Sequence, residues 1–362
     1  MSYMGPDQIQ GNLPPNSVPA GVLQAASVAW PNLTPDVQSL FVGMKNRIIN
    51  GDCRIAQRGN NASFAAGISG FGGPDRFGCA NQASGTFVQQ QTSTFTVGTK
   101  TRTGVQQFVS VAAGAFSAGQ YWGGIQQVIE GYNAFDLIGQ PVAISFWFGA
   151  IPNGTYGGVL RDGTGTLTFP FTFNYNGGGT MQLVSVLVPA IPANAVVPMN
   201  NASGLILTIG AVSGNTFVAP SSGAWIAGNY LQPPGVMNWS TVVNNWIGLT
   251  DLQLEAGVIC TPFERRQQGL EVLLCQRYYQ VISDFLCGGY QGAGGIVYAD
   301  ATLPVPMRAT PSGVLLNAAT YFNASGYSLN SASNSKFRTS ITIGSAGYGY
   351  GYGASIGFLA EL

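Results

Sequence analysis

Histidine is absent from all 362 residues. That removes Ser-His-Asp and Cys-His catalytic arrangements and leaves no histidine to complete a zinc site. Charge is scarce as well. Asp, Glu, Lys and Arg together make up 8% and cancel to a formal net charge of zero. With no basic excess to neutralise phosphates, nucleic acid is not an expected partner. No apolar run approaches a membrane span, because Pro or Gly interrupts stretches such as "VSVLVPAIPANAVVPM", so no membrane insertion is expected. The opening "MSYMGPDQIQ" has neither the basic nor the apolar region of a signal peptide, and the chain is expected to fold in the cytosol that makes it, whatever its final address. The cysteines, Cys53, Cys79, Cys260, Cys275 and Cys287, are odd in number and widely spaced, without a CxxC pair. They read as free buried thiols, with a Cys275–Cys287 bridge formed after exposure to air as the alternative.

Glycine is abundant instead, at 51 residues. With so little charge, solubility must come from Asn, Gln, Ser and Thr and from surface hidden between subunits, which favours an oligomer. The length suits two domains, or one large all-β domain with appendages. Up to about Leu33 the chain is rich in Pro, Gly, Asn and Gln without periodicity, and reads as an extended arm. A short helix is expected after it, with Thr34 as N-cap, Pro35 in the first turn, and Val37, Leu40, Phe41 and Met44 on one face. That stripe packs either on the following domain or in a larger assembly. Residues 1–45 are therefore an N-terminal arm.

Residues 46–263 are short runs of Val, Ile, Thr and aromatics punctuated by Gly, Pro, Asn and Ser, which predicts strands. In "TLTFPFTF", Leu167, Phe169, Phe171 and Phe173 alternate with Thr166, Thr168, Pro170 and Thr172, and Pro170 places the strand at an edge or bulge. Nine or more such strands without an intervening helix point to a jelly-roll or related β-sandwich.

The stretch "LTDLQLEAGVICTPFERRQQGLEVLLCQRYYQ" gathers Asp251, Glu255, Glu264, Arg265, Arg266, Glu271 and Arg277 in an otherwise charge-poor chain. Its first part reads as a half-buried last strand, with Leu252 and Leu254 inward and Asp251, Gln253 and Glu255 outward. "TPFE" offers a capping box from Thr261 to Glu264, and Leu270, Leu273, Leu274, Tyr278, Val281 and Ile282 recur at helical spacing. Residues 264–286 are thus a linking helix whose charges mark a boundary rather than a catalytic centre.

"NRIINGDCRIAQRG", then "PDRF", then "QQVIEGYNAFDLIGQPVAISFWF", then the charged stretch above, follow one another in an order and spacing that resembles a family of bacteriophage and prophage tail-fibre proteins over roughly Asn46 to Gln280. "LPVPMRATPSGVLL" resembles the family's C-terminal β-rich tip, here residues 287–362. The resemblance implies a central jelly-roll similar to carbohydrate-binding modules within a trimeric virion part. The expected fold class is mainly β: a jelly-roll sandwich, a smaller C-terminal β domain, a short N-terminal helix and a linking helix. The expected function is that of a homotrimeric tail fibre, made in the host bacterial cytoplasm and incorporated into the virion, binding host cell-surface polysaccharide and joined to other virion proteins through its arm. The arm has no counterpart in the resemblance, so a head fibre or capsid decoration protein is the structural alternative.

The resemblance also implies a structural calcium near the first and last strands, where Asp52 and Asp251 occupy matching places. The plainer reading has both carboxylates capping turns or pairing with Arg54 or Arg76. Arg58, Asp75 and Arg76 read as an internal ion pair at the sandwich edge.

A polysaccharide depolymerase is the alternative of another class. Paired carboxylates would have to lie roughly 5 to 9.5 Å apart. Asp251 and Glu255 are about 13 Å apart along a strand, which is too far. Glu130 and Asp136, flanking "GYNAF", are the best local pair, although turn and surface roles suit them better, and no catalytic residue is assigned. For sugar contact, Tyr121 and Trp122 precede two glycines at a strand end. Tyr348, Tyr350 and Tyr352 alternate with Gly in "GSAGYGYGYGAS", so their rings project from one face. That ladder is either a sugar platform or a surface against a sister chain, and the bare Gly face favours the second. Trp147, in "ISFWFGA", and most other tryptophans are expected in the core.

Overall fold

The computed structural model describes residues 44–362. The expected arm and its helix lie almost wholly outside the described residues. Among these, no helix is long and apolar enough to cross a membrane.

Two antiparallel sheets form a jelly-roll β-sandwich. One runs in the order Asn61–Ala65, Thr86–Val97, Lys100–Val111, Trp246–Ala256, Val142–Ile151, Gln182–Val188. The other runs Ile226–Ala227, Leu167–Tyr175, Gly154–Asp162, Ser203–Ile209, Ile125–Glu130, Gly78–Ala80, Ser69–Phe71. Period-two alternation sends Phe146 and Phe148 inward from one sheet and Tyr156, Phe169 and Phe171 from the other. Pro170 falls where the expected edge lies, since the outermost strand pairs only with Leu167 and Thr168. Even the polar core residues pair: Gln107 Nε2 donates to Gln89 Oε1 at 2.8 Å, both side chains fully buried.

The last strand of the sandwich, Trp246–Ala256, is not half-buried but covered on both faces. A bulge between Thr250 and Gln253, with Asp251 at φ 50°, lets Leu252 and Leu254 reach the core. Segments near residues 46 and 262 cover the polar side. Glu264 N donates to Gln253 Oε1 at 2.7 Å, and Asn46 brackets Leu252 O and Leu254 N.

These contacts also explain why the capping box does not form. The Thr261 hydroxyl donates to Glu255 at 2.6 Å, and Glu264 accepts from Asn46 N at 2.8 Å. The α-helix begins later and is short, Gln268–Gln276, and Val281 and Ile282 belong to the strand Tyr279–Gln291 that follows.

That strand opens the smaller β domain. It pairs with Gly347–Leu359, which also pairs with Ser312–Leu315 and Thr320–Phe322. A second sheet, Ile296–Thr302, Lys336–Ile343, Ala324–Ala332, packs on it around Phe337, Ile341, Ile343, Ile356 and Phe358.

The charged stretch is the joint between the two bodies. Arg277 forks onto Glu130 (3.0 and 2.5 Å), and Tyr278 Oη donates to the same carboxylate at 2.7 Å. Arg76 lies 3.5 Å over the Tyr278 ring and pairs with Glu361, which Arg58 also reaches at 2.7 Å. Arg76 is thus not Asp75's partner; Arg58 is, at 3.8 Å. All five cysteines are free. Cys275 and Cys287 sit in different hydrophobic clusters.

Candidate functional site

Tyr121 and Trp122 occupy a two-residue strand paired with Val212–Ser213. Consecutive strand residues face opposite ways, and only one of this pair faces out. Trp122 is fully buried, packed on Phe87 and Trp239 with ring centroids 5.1 and 5.7 Å away, and its Nε1 donates to Ser84 O at 3.2 Å. It is a core residue and cannot offer a face to a sugar, which corrects the expectation for it. Tyr121 is half-buried and meets Phe217 edge-on at 5.1 Å.

Tyr121 and Phe217 help form a groove of about 410 Å³ beside the outer face of the seven-stranded sheet, together with Gln126, Arg161, Asn229 and Phe71. Arg161 stands on the strand Gly154–Asp162, where Leu160 faces the core and Arg161 therefore faces out. Its Nη1 donates to Asn229 Oδ1 at 2.7 Å. Asp162 does not answer it. That carboxylate accepts from Thr166 N at 2.8 Å, Thr166 Oγ1 at 2.7 Å and Val196 N at 3.0 Å, closing the following loop. Burial raises the Asp162 carboxyl, and these bonds outweigh it and hold the group below the ordinary aspartate value.

Sequence reasoning passed over Arg161 and Asn229. The signal was a lone arginine in "GTYGGVLRD", otherwise free of cations. It also misplaced several tryptophans. Trp147 is partly exposed, facing outward between the inward Phe146 and Phe148. Trp246 stacks on Phe95 at 5.9 Å beside a second groove of about 500 Å³ that includes Gln106 and Met181.

The tyrosine ladder lies on the strand Gly347–Leu359 as the alternation requires. Ring centroids are 6.0 Å apart for Tyr348–Tyr350 and 5.8 Å for Tyr350–Tyr352. Phe322, opposite Tyr350, stacks on it at 5.4 Å, and Tyr290 stands opposite Tyr348. Tyr290, Tyr348 and Tyr352 are 79, 50 and 45% exposed, so the row is open. The bare face behind them is closed by the chain itself. A Cβ on Gly349 would meet Asn323 O at 2.4 Å, and one on Gly351 would meet Tyr321 and Ile341 at 3.2 to 3.3 Å. The glycines therefore serve sheet packing within the tip, and the argument from them to a sister chain falls away.

Asp52 and Asp251 do come together, around a cation the chain already supplies. Arg265 reaches Asp52 Oδ2 at 2.9 Å and Asp251 Oδ1 at 3.1 Å, with Arg54 on Asp52 at 2.5 Å and Arg102 on Asp251 at 3.5 Å. Among the described residues no cluster of three or more acidic or cysteine ligands exists. Calcium asks for six or more oxygens, and three guanidinium groups around two carboxylates do not fit it.

Glu130 and Asp136 are each closed by a different arginine. Asp136 is exposed and forked by Arg47 at 3.1 and 2.7 Å. Burial raises the Glu130 carboxyl, but the Arg277 and Tyr278 hydrogen bonds outweigh it and hold the group below the ordinary glutamate value. A general acid needs the opposite shift.

No protein-family model matches the chain, and no curated protein matches it in sequence. Among solved structures, the enzymatically active domain of tailspike protein 4 of bacteriophage CBA120 is similar over 59% of this chain at 11% identity, with a TM-score of 0.32. This chain spans about a fifth of that one, 22%. A CBM4 structure is similar over 57% of this chain and 98% of its own, at 14% identity and a TM-score of 0.27. Discoidin II of Dictyostelium discoideum is similar over 69% of this chain and 80% of its own, at 10% identity and a TM-score of 0.16. Likenesses this distant assign no residue a role.

Proposed function

We propose that this chain is a non-enzymatic structural protein of a phage virion, a homotrimeric tail fibre that binds a host-surface glycan. The observation that carries the binding reading is the open aromatic row of Tyr290, Tyr348, Tyr350, Tyr352 and Phe322 on one sheet face. Aromatic rings with polar edges suit the apolar faces and hydroxyl rims of sugars, and a rigid sheet holds them without a folding cost at binding. The tail-fibre assignment is supported by the ordered motifs between Asn46 and Gln280. The non-enzymatic reading is supported by the missing histidine and by Glu130 and Asp136, each engaged by its own arginine.

Incubating the protein with isolated host surface polysaccharide separates binding from cutting. The polysaccharide is expected to be retained by immobilised protein at unchanged chain length. Release of oligosaccharide would overturn the non-enzymatic reading, and absence of retention would overturn the glycan reading.

A further inference from the structure

Two arginines are buried among the described residues, Arg76 and Arg161. Arg76 is matched by the carboxylate of Glu361. Arg161, 7% exposed, has no carboxylate within 4 Å among the described residues; its one hydrogen bond goes to a neutral amide, and its Nε is buried without any partner. A buried cation without a counter-charge is costly, and a chain with 8% charge that matches its other buried arginine has left this one open. Nor does the neighbourhood offer relief. Asp162 is committed to its loop, and the Thr208 hydroxyl, diagonal to Arg161 on the same sheet face, is itself buried without a partner.

We propose that the groove at Arg161 binds a carboxylate-bearing sugar, a hexuronate, whose carboxylate pairs with the guanidinium. Arg161 is the only charged side chain among those lining the groove, which the last residue, Leu362, also lines; one guanidinium is on offer, so the ligand carries a single negative charge at this point rather than a cluster. The guanidinium is planar and presents paired donors, which matches a carboxylate. Asn229 holds it in place through Nη1, and among the described residues Nη2 has no hydrogen-bond partner. Tyr121, Phe217 and Phe71 supply aromatic surface for a sugar ring, and Gln126 an amide for its hydroxyls. Burial pushes the Arg161 pKa down to about 10, against the pull of Tyr121 and Asp162, so the group is still a cation at neutral pH. The choice of a saccharide rests on the glycan-binding reading; the choice of an acidic one rests on Arg161.

The test is calorimetric titration of the full chain with an oligogalacturonate and an oligoglucuronate, each against its neutral galactose or glucose counterpart. At least one uronate is expected to bind, at least tenfold more tightly than the neutral sugar. Arg161→Gln, which removes an unpaired charge and should melt no lower than the parent, is expected to abolish that preference. Asn229→Ala, which frees the guanidinium, is the second variant and should weaken uronate binding severalfold. Leu187→Ala, at an exposed position on the strand Gln182–Val188 of the other sheet, should leave it unchanged. Failure of both uronates to bind, equal binding of neutral sugars, or uronate binding indifferent to Arg161→Gln overturns the proposal. Inorganic phosphate binding as tightly as the uronate would make this a general anion site and overturn the sugar assignment. Arg161-dependent uronate binding combined with an inert tyrosine row would refute only the row.

Discussion

Asp52 and Asp251, one from the segment leading into the sandwich and one from its last strand, meet across the guanidinium of Arg265, with Nη1 2.9 Å from the first and Nη2 3.1 Å from the second. Both carboxylates are under a tenth exposed, and Asp251 sits on a bulge at φ 50°. Arg265→Ala is expected to cost about 1 to 2 kcal/mol in chemical denaturation, less than a fully buried pair because Arg265 is partly exposed and Arg54 and Arg102 remain. The parent protein's melting temperature should not respond to calcium. A clear rise would mean the carboxylates prefer a metal to the arginine.

Glu130 makes the joint depend on pH. Its folded pKa lies below the unfolded value, since the Arg277 and Tyr278 bonds outweigh burial. Its contribution is therefore fully present above the unfolded value, about 4.3, and lost as pH falls through the folded one. Glu130→Gln should cost about 2 kcal/mol at neutral pH, with Arg277 partly exposed, and should flatten the stability profile below about pH 4.5. Urea titrations across pH for both proteins check this. An unchanged acid limb would show that Glu130 is not what titrates.

Trp122 and Tyr121 should behave as differently as their faces. Trp122→Ala empties a site between Phe87, Phe116 and Trp239 and is expected to cost about 3 to 5 kcal/mol. Tyr121→Ala should cost about 1 kcal/mol or less, because the ring is half-exposed. Equal losses in denaturation would place both rings in the core.

A homotrimer is the expected quaternary state, and exposed apolar surface in the tip is consistent with it. Val314, Leu315 and Leu316 are 60, 40 and 49% exposed in a chain with little charge. Sedimentation in dilute neutral buffer should give three chains per particle. A stable monomer contradicts the fibre reading.

What was legible in the sequence was what period-two alternation and turn chemistry specify locally. The mainly β class, the edge position of Pro170 and the one-sided tyrosine row all come from patterns within about ten residues. What was not legible depends on partners far along the chain. Thr261 was free to cap a helix until Glu255 claimed its hydroxyl. Val281 and Ile282 fit a helical stripe until Glu130, nearly 150 residues away, held Arg277 and Tyr278 and the next strand began. Arg161 looks ordinary until its counter-charge is sought and Asp162 proves to be engaged elsewhere. Trp122 and Tyr121 differ only in which of two faces each takes, and a two-residue strand carries no pattern to decide it.

The central claim is that the open tyrosine row binds a host glycan. The most direct measurement uses the double variant Tyr348→Ala, Tyr352→Ala, which removes two exposed rings and leaves the buried Gly face intact. Trimer mass by sedimentation and binding to host surface polysaccharide are read on one preparation. An intact trimer is expected, with binding weakened by roughly 1 to 3 kcal/mol, the scale of one or two lost aromatic contacts. A trimer that falls apart, or unchanged polysaccharide binding by an intact one, contradicts it.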